Sequence, residues 1–198
     1  MAFYFETPEW LISLGILAIF IAALWKRKYR VSYLVCFSIF WIYMSFVLKV
    51  TLFPIEIVPE RVPVMSPHFA SSINLIPFYF GRFASLEGTL PGVVLNIILT
   101  MPFGFGINFL TFIKPRNFLW LSVLVGLAIE TAQLIISLCL GYAYRVIDIN
   151  DVICNAVGVL IGYGLFRLFA GAYVWMNRRF KLKPAGLFGY LLEICQLK

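Results

Sequence analysis

Residues 126–162 read GLAIETAQLIISLCLGYAYRVIDINDVICNAVGVLIG: two apolar runs joined by a short polar turn. Extended by their flanks to Phe118–Leu140 and Val152–Met176, both runs are long enough, at 1.5 Å per residue, to cross a hydrocarbon core of roughly 30 Å. Glu130 and Gln133 sit inside the first run, and Arg145, Asp148, Asp151 and Asn155 crowd the entrance to the second. A charge within a hydrocarbon span costs at least ~2.5–3.5 kcal/mol on insertion scales, so Glu130 needs either a partner or a purpose.

Composition supports a lipid environment for the whole chain. Of 198 residues, 62% are hydrophobic and 13% charged, against about 25% charged in soluble domains. The net charge of +7 does not indicate nucleic acid. The basic residues stand in short clusters beside apolar runs, which is the pattern that sets membrane topology. Cys36, Cys139, Cys154 and Cys195 show no metal-ligand spacing. A Cys139–Cys154 disulfide and two unpaired packing thiols both remain open. Glu6 and Glu9, not Lys or Arg, precede the first apolar run, and LWKRKYR follows it. That is the reverse of a cleaved signal peptide, so a retained first helix is expected.

The expected fold is all-α: a polytopic membrane helix bundle of about five transmembrane helices, with a long, partly buried outer loop between spans two and three. The spans are Trp10–Trp25, Val31–Phe53, Gly92–Ile113, Phe118–Leu140 and Val152–Met176. Lys49 can snorkel from the end of the second. Pro54, Pro59, Pro63 and Pro67 oppose a regular helix in the first half of the 54–90 connection. Its second half, SSINLIPFYFGRF, is aromatic but too short to cross and return. Pro102 and Gly104 should kink the third span. The tail PAGLFGYLLEICQLK is apolar enough to lie in the interface and too short to span.

Three basic clusters orient the bundle. Lys26, Arg27, Lys28 and Arg30, then Lys114 and Arg116, then Arg178, Arg179, Lys181 and Lys183 account for ten of the 16 basic residues. All three fall on one side, which the positive-inside rule assigns to the cytoplasm. The expected location is the cell membrane, multi-pass, with the N-terminus outside and the C-terminus cytoplasmic. Gln133 and Glu130 then lie ~10 and ~15 Å below the outer end of span four. Asp148, Asp151, Asn155, Gly158 and Gly162, spaced 3, 4, 3 and 4, fall within a ~80° arc of one helix face. A polar pocket opening outward, lined by spans three, four and five, is the simplest inference.

Four motifs in order carry a resemblance: Asn74-Leu-Ile-Pro77-Phe78; Asn96 with Pro102-Phe103-Gly104; Glu130-Thr-Ala-Gln133; and Arg145-x-x-Asp148-x-x-Asp151-x-x-x-Asn155-x-x-Gly158. Together they resemble the VanZ-like family over residues 70–165. The resemblance implies a polytopic bacterial membrane protein. The family's founding member is associated with low-level resistance to the glycopeptide teicoplanin, and no established biochemical activity comes with the pattern. The expected division is 1–69, two helices and the outer loop; 70–176, the VanZ-like transmembrane domain; and 177–198, a basic cytoplasmic tail with an interfacial segment.

The candidate ligand-binding residues are Asn74, Asn96, Glu130, Gln133, Arg145, Asp148, Asp151 and Asn155. Each has a structural alternative. Glu130 can pair with Arg145, and Asp148 or Asp151 can cap a helix start, with Arg145 bridging to one of them. Asn74 and Asn96 can satisfy backbone groups freed by Pro77 and Pro102. His68 reads as a surface residue, and Gly158 with Gly162 as an intramolecular packing motif. Three functions compete. The first is non-enzymatic binding of an amphiphile, such as a lipid-linked cell-wall precursor or a lipoglycopeptide, with the aromatic 71–83 segment holding the lipid part. The second is an intramembrane enzyme acting on a lipid-linked substrate, for which Glu130 and Asp151 are the candidates and no catalytic residue is assigned. The third is a small transporter or flippase component, working as a homodimer or with a partner. The first is favoured. No metal ligand or cofactor is assigned, with a divalent cation held by carboxylates as the alternative.

Overall fold

A computed structural model describes residues 2–4, 6–56, 61, 63–80 and 86–197. It is 75% helical. Helices α1 (Thr7–Lys26), α2 (Val31–Leu52), α4 (Leu86–Gly106), α5 (Asn117–Leu140) and α6 (Ile149–Arg179) are the long ones. Each contains a stretch long and apolar enough to cross a membrane. The chain is therefore a five-span helical membrane protein. The four-residue α3 (Pro67–Ala70) lies in the loop after α2, and α7 (Gly186–Gln196) follows the last span.

The third span differs in register from its expected 92–113. Its helix begins earlier, at Leu86, and runs through Pro91 and Pro102 before ending at Gly106 in a short 3-10 turn, Ile107–Phe109. Pro102 has no N–H to offer the Ile98 carbonyl, so the helix carries the proline at the cost of one internal bond.

Helix α6 is the hub. Of its most apolar window 39% is buried, against 6% for peripheral α1. Its glycines set how closely α4 and α5 approach. A Cβ on Gly158 would collide with the Ile97 carbonyl and the Thr100 hydroxyl, and one on Gly162 with the Met101 carbonyl. From the other side, Gly104 meets the Val159 carbonyl and Gly126 meets Val152. The GxxxG motif thus serves packing within the chain, as small residues do where membrane helices touch. Helix α1 is held on α2 by a Ser13–Ser45 hydroxyl pair at 2.6 Å and by the Trp41 indole donating to the Ser13 carbonyl at 3.1 Å.

The end of the bundle opposite the basic clusters is tied by short strand pairs. β1 (Ala2–Phe3) runs antiparallel to β2 (Ile55–Glu56). β3 (Ile73–Asn74) runs parallel to β4 (Ile147–Asp148), with Ile73 opposite Ile147 and Asn74 opposite Asp148. The connection between spans two and three is partly buried over its described residues, as expected: Phe69 is in the core while His68 is exposed. Its aromatic stretch turns outward, with Leu75, Ile76 and Phe78 exposed. At the basic end, α7 lies against α6, α2 and the 3-10 turn. Cys195 and Ile194 pack into the Phe166–Ala170 cluster, and the Tyr190 hydroxyl donates to the Phe109 carbonyl. The four cysteines are free thiols, so no bridge joins Cys139 to Cys154.

Candidate functional site

The polar residues assemble around the first turn of α6. Asp148 is its N-cap: the side-chain oxygen accepts the Asn150 N–H at 2.8 Å, satisfying one of the donors a helix start leaves open. The same oxygen accepts from the Asn74 amide at 2.9 Å. The Asp148 N–H donates to Glu130 Oε2 at 3.0 Å. Glu130 is buried, and this bond is the specific partner its position demanded.

Asn74 and Asn150 form a second layer. Asn74 Oδ1 accepts the Ile76 N–H at 3.1 Å, and its Nδ2 donates to the Tyr79 carbonyl at 2.8 Å. Buried Asn150 donates to the same Tyr79 carbonyl and accepts the Phe78 N–H at 2.6 Å. Phe78 has φ +62°, a left-handed conformation that an aromatic residue adopts only under constraint. The two asparagines supply that constraint and fix the 74–80 turn to the head of α6. This is what Asn74 and Asp148 do in the structure: neither lines the open cleft.

Gln133 and Arg145 close the far end of α2. Gln133 Nε2 donates to the Thr51 carbonyl at 3.0 Å and Arg145 to the Phe53 carbonyl at 2.9 Å. Carbonyls at a helix C-terminus lack internal donors, and a cation there complements the helix dipole. The expected Arg145 bridge to Asp148 or Asp151 does not form. Among the described residues the ion pair within 4.0 Å is Arg30–Glu193. Arg145 instead spends its donors on the α2 terminus and lies 5.8 Å from the Tyr144 ring centre.

Beside this framework opens a cleft of about 660 Å³. Asn96, Glu130, Gln133, Arg145 and Asp151 line it together, among apolar walls that include Leu95, Leu99 and Ile129. Asn96 is the hydrogen-bond partner of the Asp151 side chain. Spans three, four and five contribute, as expected, but α2 supplies a further wall through Tyr43, Phe46, Val50 and Thr51. Ile98, whose carbonyl Pro102 leaves without a helical donor, also borders the space.

Asn155 is fully buried one turn below Asp151, and its backbone carbonyl accepts from Thr100 at 2.8 Å. Its Oδ1 is buried without a hydrogen-bond partner among the described residues, which is costly unless a donor reaches it. Of the aromatic 71–83 segment, none of residues 71–80 lines the cleft, and 81–83 lie outside the described residues. Residues 71–80 therefore give no support to the expectation that this segment holds a lipid chain beside the polar head. The two asparagines hold residues 76–79 against the head of α6. No group of three or more His, Cys, Asp or Glu side chains converges among the described residues.

Three contributors were not singled out from the sequence: Asn150, Thr100 and Tyr43. Asn150 sits between two aspartates and reads as one more turn residue. Tyr43 and Thr51 carried a usable signal, as polar groups two helical turns apart in an apolar span.

A family model described as VanZ/LLP1 matches residues 40–170, from within α2 to near the end of α6, and so covers every wall of the cleft. Neither a curated protein nor a solved structure matches the chain.

Proposed function

The chain belongs to the VanZ/LLP1 family, and from that membership and the cleft we propose that it is a bacterial envelope protein that binds an amphiphile without transforming it. The ligand class is a lipoglycopeptide or a lipid-linked cell-wall precursor, and the consequence is a contribution to teicoplanin resistance. The observation that carries this reading is the convergence of Asn96, Glu130, Gln133, Arg145 and Asp151 on one cleft with apolar walls. That cleft lies at the end of the bundle away from the basic clusters, where a polar head at the membrane boundary would meet it. Mixed polar and apolar walls suit a ligand with a hydrogen-bonding head and a hydrocarbon body.

The roles differ by residue. Asp151 and Glu130 present acceptors and Asn96 presents both donor and acceptor, whereas Asn155 is buried one turn deeper and does not border the cleft. Asn74 and Asp148 serve as positioning residues, because their polar atoms are used in holding the turn and the helix start. The test is the susceptibility to teicoplanin and vancomycin of cells carrying wild type, Glu130→Gln or Asp151→Asn, with membrane levels matched. Selective protection against the lipidated drug by wild type, lost in both variants, supports the reading. Wild-type protection by both variants removes the cleft from the function.

A second reading, an intramembrane enzyme using Glu130 and Asp151, is favoured by one observation: both carboxylates border the same space. Turnover of a lipid-linked sugar by purified protein, abolished by either substitution, would move the assignment there.

A further inference from the structure

The cleft does not stop at its polar residues. Tyr43 of α2 and Pro102 of α4 border it and also border a second, apolar groove of about 390 Å³. Among the α2 residues that border the two spaces, Cys36, Ile39, Tyr43, Phe46 and Val50 recur at three- and four-residue steps and so share one helix face. Leu95, Leu99, Pro102 and Gly106 do the same on α4. The two spaces follow one another along the line, or seam, between α2 and α4, with Tyr43 and Pro102 as their shared walls. At their junction the Tyr43 hydroxyl crosses to the Leu99 carbonyl at 2.7 Å.

The lower end of the seam is closed by α7, through Leu187 and Leu191. That helix is pinned by Tyr190 on the Phe109 carbonyl and by the Arg30–Glu193 pair. From Thr51 at the top to Val35 at the bottom, α2 rises ~24 Å at 1.5 Å per residue. One leaflet accounts for about half of a roughly 30 Å hydrocarbon core. The seam is thus longer than a leaflet, polar at one end only, and floored at the other.

The geometry points to a slot for one amphiphile: a neutral, hydroxyl- or amide-rich head among Glu130, Asp151 and Asn96, with its hydrocarbon chain laid along the α2–α4 seam past Tyr43 and Pro102 to α7. This deepens the reading of the cleft as an amphiphile site and rests on it. The head chemistry follows from charge. Two carboxylates face one guanidinium that already donates to the Phe53 carbonyl, which suits a sugar and, of the two ligand classes proposed above, favours the lipoglycopeptide over a precursor joined to its lipid through phosphate. The chain path differs from the one expected for the aromatic 71–83 segment.

The test uses full-length protein in vesicles of phosphatidylglycerol and phosphatidylethanolamine, with a long-chain alkyl glucoside carrying a diazirine at the chain end. After illumination, the labelled peptides are mapped. Label should concentrate on Val35–Ile39 and Leu187–Leu191. Ile39→Trp, which fills the groove, should remove most of it; Ile42→Trp, on a face of α2 that borders neither space, should not. Label spread evenly over the bilayer-facing helices, absence of label, or equal effects of the two tryptophans overturns the slot. Glu130→Gln separates the two readings. If it strips the label, head and chain sites stand together. If label survives Glu130→Gln but not Ile39→Trp, the chain slot stands and the assignment of the polar head fails. Each variant is first compared with wild type by gel filtration and thermal unfolding.

Discussion

Glu130 shows how a single intramembrane carboxylate can be both structural and available. One oxygen takes the Asp148 N–H, and the side chain still borders the cleft. The two roles come apart on substitution. Gln keeps an acceptor for the Asp148 N–H, whereas Ala leaves that donor without its partner, a loss of about 1–3 kcal/mol. Thermal unfolding in detergent should therefore show a clear fall for Glu130→Ala and little change for Glu130→Gln, with amphiphile binding weakened in both. Equal destabilisation would mean that the acceptor is not what holds the helix start. Glu130 and Gln133 were legible in the sequence because polarity inside an apolar run is itself a signal. Asn150 was not: its partners, the Phe78 N–H and the Tyr79 carbonyl, lie some seventy positions away in sequence. Removing its amide should speed hydrogen exchange at Phe78. Asn150→Asp, which keeps the acceptor, should raise that rate less than Asn150→Ala, and identical rates would count against the bond.

At the scale of elements, long helices were readable and short pairings were not. Five spans follow from apolar length alone, and their glycine spacing foretold close contact. The parallel β3–β4 pair is two residues long on each side. It has no periodicity to detect, yet it sets Asn74 against Asp148. The same lack of local signal hid how Gln133 and Arg145 tie the end of α2 to the site, because they recognise its terminal backbone carbonyls, which carry no sequence information. Glycine contacts give a sharp contrast at this scale. Gly162→Ala drives a methyl into the Met101 carbonyl and should cost about 1–3 kcal/mol, the usual penalty of overpacking. Gly164→Ala meets nothing within 4 Å and should be neutral, or stabilising by up to about 1 kcal/mol from helix propensity. Paired unfolding curves decide it. A neutral Gly162→Ala would mean that α4 and α6 are not held at this distance.

For the whole molecule, orientation determines what the cleft can reach. Helix connectivity puts the three basic clusters at the end where α7 docks and puts the cleft, the strand pairs and the 63–80 loop at the other. On the positive-inside rule the cleft is expected to face outward, a bias read from sequence that helix packing alone does not supply. Met65 is 95% exposed in the loop after α2, which makes it a clean reporter, and Lys183 follows the last span at the other end of the bundle. In a cysteine-free background, Met65→Cys should react with a membrane-impermeant maleimide in intact cells, and Lys183→Cys only after lysis. The native thiols are poorer reporters. Burial pushes the Cys195 thiol up to about 11, so almost none of it is thiolate at neutral pH and it should label slowly even when both faces are open. The reverse pattern at Met65 and Lys183 would turn the cleft toward the cytoplasm. An extracellular glycopeptide could then not reach Glu130 and Asp151 without first crossing the membrane, and the ligand would have to be an amphiphile of the inner leaflet.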